Sequence, residues 1–95
     1  MNSLLTEYNK STRPSDNQIK DLLSLYSNGN FTKALSLIDK MLIQFPRSVT
    51  LYNLEGACFA GLNLFDQAIK SYKQAIEIKP NFAEAYNNMG VAQTE

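Results

Sequence analysis

Apolar positions recur with helical spacing along most of the chain. After Pro14, Ile19, Leu22, Leu23 and Tyr26 follow at i, i+3, i+4 and i+7, the stripe of an amphipathic helix. Ser15 stands three residues before Gln18, the spacing of a capping box in which each side chain holds the other residue's backbone amide. Ser27-Asn28-Gly29-Asn30 closes that helix, because Gly and Asn tolerate the left-handed backbone of a helix C-terminus. A second helix is predicted over 31–44, with Phe31, Ala34, Leu35, Leu37, Ile38, Met41 and Leu42 on its apolar side. Pro46 forbids its continuation. A third helix starts near Ser48 or Val49 and ends near Ala60, before the turn Gly61-Leu62-Asn63. A fourth runs from about Leu64 to Ile78 and stops before Pro80. Asn81, three residues before Glu84, is expected to cap a fifth helix reaching Thr94. No segment alternates with period two, so no sheet is expected. Residues 1–14 read as a flexible N-terminal tail, polar except for a brief apolar spot at Leu4, Leu5 and Tyr8.

The helices repeat. Phe31 and Phe65, Ala34 and Ala68, and Pro46 and Pro80 are each 34 residues apart. The same step links Leu35 to Ile69, Ile38 to Tyr72, Met41 to Ala75, Leu42 to Ile76, Tyr52 to Tyr86, Asn53 to Asn87 and Gly56 to Gly90. A ladder in phase with the helix breaks is not a chance pattern. With two helices per period, it resembles the tetratricopeptide repeat (TPR) family. Over residues 49–82 the match is close, at Tyr52, Gly56, Phe59, Ala68, Tyr72, Ala75 and Pro80. The resemblance implies an all-α fold: a right-handed α-solenoid of antiparallel helix pairs, here with about five helices. Residues 15–48 then form a divergent unit, 49–82 a full one, and 83–95 the first helix of a truncated one.

Two positions depart from the family pattern. Glu55 stands where an aliphatic residue is usual, and a buried unpaired carboxylate is costly. Gln93 stands 34 residues after Phe59. In the first unit the register is open. A 34-residue step aligns Asp21 with Glu55, whereas a 33-residue step aligns Ile19 with Tyr52 and Tyr26 with Phe59. The second is favoured, because it keeps Asp21 out of the core and asks only for a shorter turn before Phe31.

Composition narrows the function. Formal charge is zero, with nine basic and nine acidic residues, so the basic stripe of a nucleic-acid binder is missing. No apolar run approaches the roughly 20 residues of a membrane span, and the N-terminus lacks a secretory signal pattern. The single cysteine, Cys58, rules out an intrachain disulfide and fits a reducing, cytoplasmic setting. It reads as a buried structural thiol. With no histidine, no glycine-rich phosphate loop and no metal-ligand cluster, neither an enzyme nor a cofactor is expected.

What remains is binding. In TPR proteins the first helix of each unit lines a concave face that receives a protein or peptide segment. The resemblance places Thr50, Asn53, Ala57 and Ala60 on that face, followed by Glu84, Asn87, Asn88 and Val91. From the first helix it takes Lys20, Ser24 and Ser27, or Ile19, Leu23 and Tyr26 in the other register. Asn53, Asn87 and Asn88 are the strongest candidates, since an amide both donates and accepts and can hold a peptide backbone. They resemble the asparagine-lined face of TPR-containing glycosyltransferases. The third and fifth helices carry no Lys or Arg on this face, which argues against the carboxylate clamp of chaperone-binding TPR domains. Two further expectations follow. One is a structural or oligomerisation module of a larger bacterial protein whose transferase-like catalytic domain lies outside this chain. The other is a homo-oligomer formed through an uncovered last helix, with Tyr86 and Met89 packed inward on the preceding unit.

Overall fold

Each helix begins and ends where local hydrogen bonding dictates. The structure, a computed structural model, describes residues 13–95. Among them lie five helices and no strand: α1 (Asp16–Ser27), α2 (Phe31–Gln44), α3 (Val49–Gly61), α4 (Phe65–Ile78) and α5 (Ala83–Thr94). The all-α expectation holds. The tail expected over 1–14 lies outside the described residues up to position 12.

The capping box forms. Ser15 Oγ accepts from the Gln18 amide at 3.1 Å, and the Ser15 amide donates to Gln18 Oε1 at 2.8 Å. Ser48 Oγ likewise accepts from the Leu51 amide at 3.2 Å and opens α3. At α5 the expectation fails. The N-cap is Phe82, with no side-chain bond; Asn81 sits one residue too early to reach the first free amides.

The turns decide the register of α1. Gly29 and Asn63 both have left-handed backbone, with φ of 76° and 61°. The amides of Gly29 and Asn30 donate to the carbonyls of Tyr26 and Leu25, at 3.0 and 2.8 Å. Those of Asn63 and Leu64 donate to Ala60 and Phe59, both at 2.9 Å. These are Schellman turns, identical bond for bond at a 34-residue step. The favoured 33-residue register is therefore corrected. Leu22, 1% exposed, takes the place of Gly56. Leu23 and Tyr26 face outward, 45% and 38% exposed. Asp21 stays exposed without any shift, because α1 packs mainly on α2 and no described helix precedes it.

The core is shared between neighbouring helices. One cluster joins Leu22, Ala34, Ile38, Met41, Phe45, Leu51 and Cys58. A second gathers Ala68, Tyr72 and Ala92, with Phe59, Phe65 and Met89 against them. Burying Leu22, Ile38 and Leu51 contributes roughly 1.5–3 kcal/mol each. Each helix packs on its neighbours in the chain, and α3 also touches α5. The result is elongated, 51 × 28 × 17 Å. Its radius of gyration, 13.8 Å, exceeds the roughly 12 Å of a compact domain of this length.

Met89 packs inward as expected, but Tyr86 does not: it is 47% exposed. Its counterpart Tyr52 is held by a hydroxyl bond to the Pro46 carbonyl at 3.2 Å. Among the described residues Tyr86 has no corresponding bond.

Candidate functional site

The first helices of successive pairs, α1, α3 and α5, line a groove of about 630 Å3. From α1 come Leu23 and Tyr26, from α3 Asn53, Ala57 and Ala60, and from α5 Glu84, Asn88 and Val91. The spacing explains the grouping. Asn53, Ala57 and Ala60 recur at i, i+4 and i+7, so one side of α3 faces the opening. Tyr26 is held edge-on to Phe31, with ring centroids 5.5 Å apart. Val91 stands 62% exposed on the opposite wall.

The floor is a hydrogen-bonded relay. Asn53 is 7% exposed. Its Nδ2 donates to Glu84 Oε1 at 3.2 Å, and its Oδ1 accepts from Asn88 Nδ2 at 3.1 Å. One amide thus satisfies both of its ends and ties α3 to α5 across 31 and 35 residues of sequence. The relay gives one oxygen of the exposed Glu84 carboxylate a hydrogen-bond donor and leaves the other oxygen open. Buried polar groups joined in this way rigidify what they join.

The structure brings six of the candidates that the resemblance placed on α3 and α5 together in this groove: Asn53, Ala57, Ala60, Glu84, Asn88 and Val91. Thr50 and Lys20 instead line an adjoining cleft with Arg47, which shares Leu23 with the groove. Ser24 and Asn87 are exposed and line neither. For α1, the wall is made by Leu23 and Tyr26 of the alternative register. Sequence reasoning missed Asn63, Phe65 and Tyr72. A signal existed for Tyr72, since Gly56 has no side chain to screen its ring. A Cβ on Gly56 would meet that ring at 2.5 Å.

Outside the groove, two groups have shifted acidities. Glu55 is half-buried and accepts from Ser71 Oγ at 2.7 Å. Burial raises its pKa above the ordinary 4.5, the Ser71 bond opposes this, and Asp39 adds to the rise. Buried Cys58 is pushed up to about 11, chiefly by burial and further by Glu55. At neutral pH it is a thiol and a poor nucleophile. Lys70, Lys73 and Glu77 flank Glu55 as a mixed charged surface.

The helix pairs, the 34-residue step and the repeated turns all point to one kind of protein. The family model described as "TPR repeat" matches residues 61–95. The chain belongs to the tetratricopeptide-repeat family. It is 28% identical over 92 residues to a peroxisomal targeting signal receptor of Candida albicans, covering 97% of this chain and 16% of that protein. It is 34% identical over 95 residues to a probable UDP-N-acetylglucosamine–peptide N-acetylglucosaminyltransferase of Arabidopsis thaliana, covering 98% and 10%. It is 32% identical over 92 residues to the photosystem I assembly protein Ycf3 of Acaryochloris marina, covering 82% and 53%. The chain thus spans a small part of the first two and about half of the third. Repeats of this family generally mediate protein–protein interactions. No helix among the described residues is long and apolar enough to cross a membrane.

Proposed function

We propose that this chain is a non-enzymatic interaction scaffold that holds a segment of a partner protein in the α1–α3–α5 groove, in the cytoplasm. Its units are 15–48, 49–82 and 83–95. The observation that carries this reading is the composition of the groove wall. Apolar Leu23, Tyr26, Ala57 and Val91 stand beside the oriented amides and carboxylate of Asn53, Asn88 and Glu84. Apolar surface with a few fixed polar groups suits a peptide segment. One relative is named a targeting signal receptor, which accords with such a role.

The test is selection from a random 12-residue peptide library, on this chain and on Ala57→Arg. The long side chain introduced there would fill the groove from a position that is only half-buried. Peptides should enrich on the native chain and not on the variant. Equal enrichment on both, or none on either, overturns the reading.

A second reading is a structural or oligomerisation module in a larger protein with a transferase-like catalytic part. Two observations favour it. The Arabidopsis relative is named a transferase, and α5 leaves Tyr86 and Val91 exposed with open space beside Gly90. Pairing of two copies through α5 would give a concentration-dependent mass in light scattering; a constant monomer mass would count against it.

A further inference from the structure

The groove is electrically one-sided. Its wall carries Glu84 and Glu95 and no lysine or arginine. The adjoining cleft has the opposite character, with Lys20 and Arg47 on the far side of Leu23. The Glu84 carboxylate also has a buried donor beside it, because Asn53 donates to one of its oxygens at 3.2 Å and accepts from Asn88. A cation arriving there meets a carboxylate whose second oxygen is open to accept, on a side chain already biased toward the groove by Asn53. Around it lie Tyr26 and Val91, both exposed apolar surfaces. They suit the methylene stem of a lysine or arginine or a neighbouring aliphatic side chain.

We infer that the segment bound in this groove is basic and apolar: a lysine or arginine set on Glu84, next to an aliphatic or aromatic residue against Leu23, Tyr26 and Val91. This rests on the groove reading above and adds the partner's chemistry to it. The cation lies at the α5 end, since the other end of the concave face already carries Lys20 and Arg47. Charge complementarity of this kind fixes orientation and steers encounter more than it deepens affinity. An acidic segment would meet like charge and be rejected.

The same random library tests it, panned on the native chain and on Glu84→Gln. Glu84 is exposed on a helix surface, and glutamine keeps the acceptor for Asn53, so the variant should fold as the native chain does. Enriched peptides should carry Lys or Arg beside an apolar residue, and Asp and Glu should be depleted. On Glu84→Gln that basic bias should weaken, with Glu95 the acidic group that remains. A single enriched basic peptide, measured by fluorescence anisotropy, should bind the variant roughly threefold to fivefold more weakly. Its native affinity should fall as salt rises. Enrichment without basic bias, or a bias unchanged in Glu84→Gln, overturns the inference and leaves the groove reading standing. No enrichment at all overturns both.

Discussion

A Cβ placed on Gly56 would lie 2.5 Å from Cε1 of Tyr72, whereas one placed on Gly90, its counterpart 34 residues on, would meet nothing within 4 Å. Two glycines in equivalent helices therefore have opposite tolerance. Gly56→Ala should destabilise by about 1–3 kcal/mol, the usual cost of overpacking. Gly90→Ala should stabilise by roughly 0.5–1 kcal/mol, because alanine loses less entropy in a helix. Urea unfolding of both variants checks the pair. If both gain stability, the Tyr72 ring does not occupy the space above Gly56.

The two left-handed turns give a second comparison. Gly29→Ala meets no steric neighbour, yet should cost on the order of 1–2 kcal/mol, because φ of 76° is strained for any Cβ. Asn63→Gly should gain stability, by less than about 1 kcal/mol. Thermal midpoints moving in opposite directions are the expected outcome. A neutral Gly29→Ala would mean that the turn relaxes to another form.

Asn53 is expected to matter for stability as well as for the groove. Asn53→Ala removes the bonds to Glu84 and Asn88 and should cost about 1–3 kcal/mol. In a double-mutant cycle with Asn88→Ala, the two losses should fall short of adding, by about 0.5 kcal/mol or more. Strict additivity would show that the bond between the two amides contributes nothing.

Glu55 predicts a pH effect of definite sign. Its folded pKa is raised, so the native state binds its proton more tightly than the unfolded chain does. The associated stability is complete below the ordinary value of 4.5 and is lost as pH rises through the raised value. Glu55→Gln removes that loss while keeping an acceptor for Ser71. Relative to the native chain, the variant's melting temperature should climb from acid to neutral pH. A constant difference over that range would show that Glu55 titrates alike in both states.

Much of this architecture is legible in the amino-acid pattern. The ladder from Phe31 to Gly90 locates the helix pairs, and Ser15 with Gln18 marks the first cap. Three expectations fail where the outcome turns on local geometry or neighbours that the pattern does not show. The register chosen for Asp21 supposes a helix against it, and the structure describes none there. Asn81 has the chemistry of a cap, but the chain enters α5 one residue later. Tyr86 matches Tyr52 in sequence, yet Tyr52 is held by a bond to Pro46 that residue type alone does not reveal. The site is legible in its residue types and less so in its geometry. Spacing places Asn53 and Asn88 on one face; that their side chains bond to each other depends on how α3 and α5 approach around α4.

The relay at Asn53 also bears on how the molecule would respond to tension. A load applied between Ser15 and Glu95 would meet most contacts in series, since helices touch chiefly their neighbours in the chain. Such an array lengthens by shedding one helix at a time from either end. Asn53 acts as a rivet that skips a helix, fastening α3 directly to α5. Peeling α5 away therefore requires both of its side-chain bonds to break as well as its packing on α4, so the last helix should resist extension more than that packing alone would suggest.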